Sequence, residues 1–229
     1  MPYPLQDNKP LSFNWDKELK ETPLLYKFLM PVATIVMKVP FKGGFESYGK
    51  ENVPKNGPFI IAVDHEKGID PISVVYASGG VRTLYFMAKE EFFHVPYIRP
   101  ILTFFHGFPI NREKLDRQSL KFADRVLKSG FGLLIFPEGT RNKEHTRPNP
   151  EDGKVGFAMI AREAQVPVLP CSIHVVPLPD GKEKCVVRFG ELIPFEELGF
   201  TPGKKKSKEL QTVTYTVMEK IAELWDKDA

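Results

Sequence analysis

Short apolar runs alternate with stretches of helical hydrophobic spacing from about residue 46 to the end of this chain. Apolar runs bounded by glycine, proline or polar residues predict buried strands, and they occupy residues 58–63, 83–88, 107–110, 132–136, 166–176 and 185–189. The intervening stretches predict helices at residues 71–76, 97–105, 116–128, 156–165 and 208–225. This alternation predicts an α/β fold with a mixed sheet covered by helices.

Prolines modify two of these predictions. Pro167 and Pro170 interrupt the run at residues 166–176, and because proline has no N–H to donate, the run is expected to be an edge or bulged strand. Asp70-Pro71 predicts a helix start, with Asp70 as the N-cap and Pro71 at the first helical position.

The chain before the alternation has a different pattern. Residues 1–45 are predicted to form an N-terminal interfacial helical segment that associates with a membrane, and residues 46–229 are predicted to form the α/β domain. The longest uncharged run in the segment is residues 28–37. As a helix these residues reach only about 15 Å, against a hydrocarbon core of roughly 30 Å, and Pro31 interrupts them.

A membrane surface is therefore the predicted partner of this segment, which dips into one leaflet without crossing the bilayer. Lysines on both sides of the run, at Lys27 and Lys38, would lie near lipid headgroups. The alternative is a helix packed on the domain's own core; the run is apolar nearly all round, which favours the membrane. No basic segment followed by an apolar core opens the chain, so no secretory signal is predicted. We expect a peripheral or monotopic protein on the cytoplasmic face of a membrane.

Composition excludes several other classes. Hydrophobic residues make up 42% of the chain, which is ordinary for a globular protein. The net charge of +3 is too small to argue for nucleic acid as a partner. Two cysteines, Cys171 and Cys185, make no disulfide framework and have no metal-ligand spacing. They are predicted to be core residues in a reducing compartment.

His65 and Asp70 carry the first candidate chemistry. They follow the buried run at residues 58–63, and Gly68 between them predicts a loop. Such a loop can return the carboxylate to the imidazole, where it would orient the ring and stabilise the imidazolium. Spacing of this kind recurs by chance, and Asp70 as a simple helix cap is the alternative. A position at the carboxyl end of a buried strand favours a site.

The second candidate is the turn at residues 136–141, Phe-Pro-Glu-Gly-Thr-Arg, after another buried run. Gly139 can adopt positive φ, successive amides there can form an anion-binding nest, and Arg141 can grip a phosphate. A plain turn with an exposed arginine is the alternative. The chain contains no Gly-x-Ser-x-Gly elbow. Direct attack by an acceptor hydroxyl that His65 activates is therefore the simplest mechanism, and the two segments suggest acyl transfer to a phosphate-bearing acceptor.

His65-x4-Asp70 followed by the turn at residues 136–141 resembles the glycerolipid acyltransferases of the 1-acyl-sn-glycerol-3-phosphate acyltransferase family. Residues 107–112 resemble the glycine-to-arginine block of that family, and residues 166–170 resemble its closing proline block. Lysines also stand where the family tends to carry them, at Lys89 and Lys154. The four blocks occur in the family's order, which makes the resemblance specific.

The resemblance implies phosphatidic acid synthesis in phospholipid biosynthesis. His65 would deprotonate the free hydroxyl of a lysophospholipid acceptor, and Asp70 would orient His65. Binding of the acceptor phosphate falls to three cations, Lys89, Arg112 and Arg141. Three residues of the turn would shape the acceptor site, Glu138, Gly139 and Thr140. The donor would be a thioester on coenzyme A or acyl carrier protein, with no cofactor, and loop amides beside His65 are candidates for the oxyanion hole.

Two residues depart from the family pattern, which has Asn before the histidine and Ser two residues after it. This chain has Asp64 and Lys67 there. An added carboxylate would raise the pKa of His65 and an added cation would oppose that. A different lysolipid acceptor is the nearest alternative, and a non-catalytic membrane lipid-binding protein of the same fold is the next. A phosphoester hydrolase is disfavoured, because no cluster of metal-binding carboxylates is evident.

Overall fold

A computed structural model describes residues 13–21, 34–35, 37–111, 117–201, 203 and 207–228. Within these residues one sheet contains seven strands: β1 Gly44–Tyr48, β2 Phe59–Val63, β3 Leu84–Lys89, β4 Gly107–Ile110, β5 Gly132–Ile135, β6 Val168–Pro177 and β7 Glu183–Phe189. The α-helices described are α1 Asp70–Ala77, α2 Ile98–Phe104, α3 Arg117–Lys128, α4 Gly156–Ala164 and α5 Ser207–Trp225. The predicted alternation of strands and helices is confirmed.

The strand order is β1-β7-β6-β2-β5-β3-β4. All neighbouring strands are parallel except β6 and β7, which form an antiparallel pair. The sheet is therefore mixed, as predicted. Strand β1 did not stand out in the sequence, and it crosses the predicted boundary between residues 45 and 46. The division of the chain at that boundary stays a prediction.

The expectation that residues 166–176 form an edge or bulged strand is wrong. Strand β6 lies inside the sheet, between β7 and β2. The last residue of β7 is Phe189, opposite Cys171, so the ladder does not extend to Pro170. No partner there requires the N–H that Pro170 lacks, and its carbonyl accepts a hydrogen bond from Gly190 at 2.8 Å.

The sheet is covered on both faces. Alternate residues of β2 enter opposite cores, with Phe59, Ile61 and Val63 on one side and Ile60 and Ala62 on the other. All five are completely buried, which is why the strand reads as a continuous apolar run. Helices α1 and α2 pack on the first face, and α3, α4 and α5 pack on the second.

The described parts of the N-terminal segment pack on the domain. Phe13 lies 5.9 Å, ring centre to ring centre, from both Phe93 and Phe122, which belong to opposite faces of the sheet. Met37 and Phe41 are buried in the core beside α1. Most of the uncharged run predicted to enter a leaflet lies outside the described residues. Among those described, no helix combines the length and apolar character that crossing a membrane requires.

Candidate active site

Several of the residues singled out in the sequence lie at the carboxyl ends of adjacent strands. Strands β2, β5, β3 and β4 are adjacent and parallel, so their carboxyl ends lie side by side. His65 comes two residues after β2, Glu138 comes three residues after β5, and Lys89 is the last residue of β3. Carboxyl ends of strands are where α/β sheets gather their sites.

His65 and Asp70 form a buried pair. Nδ1 of His65 lies 2.8 Å from Oδ2 of Asp70. A carboxylate accepts hydrogen bonds, so the pair places the imidazole proton on Nδ1 and leaves Nε2 as the basic nitrogen. The His65 side chain is 11% exposed and that of Asp70 is fully enclosed. The imidazole can therefore meet a substrate while the carboxylate behind it stays out of water.

Asp70 does not cap the helix. Helix α1 begins at Asp70 with Ile69 in the N-cap position, one residue earlier than predicted, and no side chain caps it. Oδ2 of Asp70 instead accepts from the backbone N–H groups of Glu66 and Lys67, both at 2.7 Å. These amides point inward at the carboxylate. These two amides are therefore not available as oxyanion donors.

The turn after β5 docks on the His65 loop. The N–H of His65 donates to Oε2 of Glu138 at 3.2 Å, and the carbonyl of His65 accepts from the N–H of Asn142 at 2.6 Å. The Phe136 ring stacks on the imidazole with centroids 4.0 Å apart and planes at 26°. Gly139 has φ +68°, the left-handed conformation expected of it. The two sequence motifs thus form a single cluster around His65.

The cations of the prediction lie at different distances from this cluster. A methyl group built on Gly68 would lie 3.8 Å from Nη1 of Arg141, so that guanidinium borders the His65 loop. Arg141 and Thr140 are exposed. Lys89 pairs with Glu91 at 2.8 Å on the far side of β5. Arg112 lies outside the described residues.

Burial raises the pKa of two carboxyl groups near His65, those of Glu138 and Asp64. Glu138 is enclosed, which raises its pKa from 4.5 to about 7; its hydrogen bond from His65 acts in the opposite direction. Burial also raises the pKa of Asp64 well above its usual range. Oδ1 of Asp64 accepts from the N–H of Ile173 at 2.8 Å.

The two departures from the family pattern therefore have structural roles. Asp64 completes the hydrogen bonding of β6 where that strand runs past the end of β2. Lys67 forms an ion pair with Glu183, at the start of β7. The sequence reasoning placed both side chains beside His65, and neither contact is with the imidazole.

Glu66 was missed in the sequence. Its carboxylate is enclosed and contacts three separate parts of the chain through Val175, Trp225 and His145. The available signal was an acidic residue in a loop that follows a fully apolar strand. Nothing local in the sequence points to Trp225, because it lies 159 residues further along the chain.

Comparison with known proteins identifies the family to which this chain belongs. The Acyltransferase family model matches residues 44–174. A Bacillus subtilis (strain 168) protein named 1-acyl-sn-glycerol-3-phosphate acyltransferase is 29% identical over 212 residues, 89% of this chain and 98% of that protein. A Streptococcus pneumoniae protein of the same name is 24% identical over 217 residues, 92% of this chain and 77% of that protein.

A solved structure has the same architecture. It is the crystal structure of the 1-acyl-sn-glycerophosphate acyltransferase PlsC from Thermotoga maritima, which is 26% identical to this chain. The superposition has a TM-score of 0.61 and covers 88% of this chain and 81% of that one. The mixed, helix-covered sheet is therefore that of a known acyltransferase.

Proposed function

This chain belongs to the acyltransferase family, and from that membership we propose that it transfers a fatty acyl group from an acyl thioester to the free hydroxyl of 1-acyl-sn-glycerol-3-phosphate. The product is phosphatidic acid. Relatives that cover most of the chain carry this activity in their names. The observation that carries the proposal is the 2.8 Å contact between His65 and Asp70 at the carboxyl edge of the sheet.

The chemistry follows from the exposed side of the imidazole. Nε2 of His65 takes the proton of the acceptor hydroxyl as the oxygen attacks the thioester carbonyl, and Asp70 stabilises the imidazolium that results. When the tetrahedral intermediate collapses, the C–S bond breaks and the new C–O ester bond remains. The imidazolium returns the proton to the departing thiolate. His65 therefore ends the cycle as it began, and no acyl-enzyme forms.

The acceptor phosphate is assigned to the turn after β5. Arg141 borders the His65 loop, and guanidinium binds phosphate through paired N–H donors. Gly139 and Thr140 complete the wall of the acceptor site beside it. Glu138 holds the turn to the backbone of His65. Lys89, the last residue of β3, and Arg112, which follows β4 in the sequence, are proposed as further phosphate contacts.

We propose that the membrane surface lies against the face of the sheet that carries α1 and α2. Ile35 and Val39 are 68% and 70% exposed, although Met37 between them is buried beside α1. On α2 of the same face, Ile101 and Phe104 are also exposed. Apolar side chains in such positions fit a leaflet that holds the lysophospholipid acceptor. Attachment would be peripheral or monotopic, at the cytoplasmic face.

Thiol release from a long-chain acyl-coenzyme A tests the proposal, with 1-acyl-sn-glycerol-3-phosphate as acceptor and wild type beside His65→Ala. We expect release that requires the acceptor and falls about 10²–10⁴-fold in the variant, the usual share of a general base. Acyl carrier protein donors and other lysolipid acceptors are tried in parallel. Folded wild-type protein that is inactive with all of them would instead favour a lipid-binding role.

A further inference from the structure

The carboxylate of Glu66, next to the proposed general base, is a meeting point of distant parts of the chain. Oε2 accepts from the N–H of Val175 at 3.0 Å and lies 2.9 Å from Nδ1 of His145. Oε1 accepts from the indole Nε1–H of Trp225 at 3.3 Å. The Glu66 side chain is 1% exposed. Burying a carboxyl group costs free energy unless it is hydrogen-bonded, and here both oxygens have partners.

The end of α5 is held firmly where it meets Glu66. Trp225 is the last residue of α5, and its ring stacks on His174 with centroids 4.0 Å apart. The next residue, Asp226, receives two hydrogen bonds from Nε and Nη2 of Arg147, at 2.7 and 2.9 Å. Arg147 and His145 belong to the segment that follows the turn after β5. Helix α5 is thus fastened to both segments that surround His65.

Hydrogen bonds at the side chain and at the backbone of Glu66 link this helix to the imidazole. The indole of Trp225 donates to Glu66, the backbone N–H of Glu66 donates to Oδ2 of Asp70 at 2.7 Å, and that oxygen lies 2.8 Å from Nδ1 of His65. A displacement of Glu66 that includes its main chain would move the amide that helps to hold the Asp70 carboxylate.

We infer that Glu66 is a positioning residue for His65 and Asp70, and that Trp225 is the group that holds Glu66 in place. The inference rests on the proposed acyl transfer, in which the angle of the imidazole to the attacking hydroxyl matters. Errors of about 1 Å in such geometry cost on the order of 10² in rate. Neither residue touches substrate; both act through Asp70.

Trp225→Phe is the mildest test. Phenylalanine keeps an aromatic ring against His174, but it removes the indole N–H that donates to Glu66 and is the smaller of the two rings. We expect kcat to fall about 10-fold, because the imidazole is less well aligned. KM for both substrates should stay within about 2-fold, since an interaction that matters only in the transition state changes kcat and kcat/KM equally. Unchanged kcat would overturn the role of Trp225.

Two substitutions at Glu66 test whether its hydrogen bonds position His65. Glu66→Ala removes the carboxylate that contacts Val175, His145 and Trp225. We expect kcat to fall about 10²-fold. Glu66→Gln keeps the length and one acceptor oxygen, so it should recover part of that loss. Equal activities for the two variants, both folded by circular dichroism, would contradict a positioning role.

Arg162→Ala is the matched control. Arg162 pairs with Glu209 at 3.1 Å and ties α4 to the first turns of α5, far along the helix from Trp225. This variant weakens the attachment of the same helix without touching Glu66. We expect its kcat, corrected for folded protein, to match wild type. A loss equal to that of Trp225→Phe would mean that any weakened attachment of α5 lowers kcat, and it would refute the specific role of Trp225.

Wild type and His65→Ala in the same assay separate the two proposals. An inactive wild type, or a fully active His65→Ala, refutes the acyl transfer mechanism itself. Activity that depends on His65 but is unaffected by Trp225→Phe and Glu66→Ala leaves the mechanism standing and refutes the positioning role.

Discussion

The backbone N–H of Asn142 donates to the backbone carbonyl of His65 at 2.6 Å. This bond joins the two motifs that lie more than seventy residues apart in the sequence. Together with the bond from His65 to Glu138, it holds both main-chain groups of the proposed base against the turn after β5. Changes in that turn should therefore affect the chemistry as well as acceptor binding.

Asp70→Asn should lower kcat by about 10²–10⁴-fold and leave KM for either substrate nearly unchanged. Asparagine has the shape of aspartate, but it lacks the charge that stabilises the imidazolium and no longer dictates the Nδ1–H tautomer. Steady-state kinetics with acyl-coenzyme A and 1-acyl-sn-glycerol-3-phosphate measures both parameters. A variant with wild-type kcat would show that the 2.8 Å contact has no part in catalysis.

Arg141→Ala should raise KM for the phosphate-bearing acceptor by about 10–100-fold, since hydrogen bonds to charged groups contribute roughly 1.5–3 kcal/mol. KM for the acyl thioester should not change. Lys143→Ala, which removes an exposed cation two residues away, serves as the control. If both variants shift acceptor KM equally, the effect belongs to general surface charge and Arg141 does not bind the phosphate.

Glu138 should make the protein less stable as pH rises between about 4.5 and about 7. Burial raises the pKa of this carboxyl group from 4.5 to about 7, so in this range the folded state binds more protons than the unfolded state. The favourable contribution is complete below pH 4.5 and is lost as pH rises through the folded value. Urea unfolding of wild type and Glu138→Gln, at several pH values across this range, measures the contribution of Glu138 to the free energy of unfolding.

The free energy of unfolding of wild type minus that of Glu138→Gln should therefore decrease with rising pH, because glutamine does not titrate. A difference that stays constant across the range would show that Glu138 ionises as it does in the unfolded chain.

Ile35→Glu combined with Val39→Glu should reduce flotation with vesicles that contain anionic phospholipid. Both side chains are exposed, so charge there opposes insertion without disturbing the core. Deleting the whole segment is a poorer test, because Met37 and Phe41 are buried in the core. Tyr215→Glu, on an exposed site of α5 on the opposite face of the sheet, is the control. Equal flotation of the double variant and wild type would place the membrane contact elsewhere.

Much of the fold could be predicted from the sequence because it depends on local patterns of apolar and polar residues. Strands β2 and β5 are buried on both faces, so each appears as an unbroken apolar run. The His65 loop was also predictable from a local pattern. Asp70 lies five residues after His65, and Gly68 between them lets the chain turn back. The positive φ of Gly139 likewise follows from its own residue type.

The tertiary structure alone decided which distant segments meet. Strand β6 lies inside the sheet despite Pro170, because β7 ends before it reaches that proline. Asp64 accepts a hydrogen bond from Ile173, and Lys67 pairs with Glu183. The order of strands brings β2 beside β5, and with them the proposed base beside the turn that is proposed to bind phosphate.

The contact between Glu66 and Trp225 most clearly separates what the sequence predicts from what only tertiary packing decides. Hydrophobic periodicity reports which face of a helix or strand is buried, and it predicted α5 well. It carries no information about which buried polar group will meet another 159 residues away. That pairing is set by the need of each enclosed donor and acceptor for a partner, and it is satisfied only once the sheet and its helices have packed.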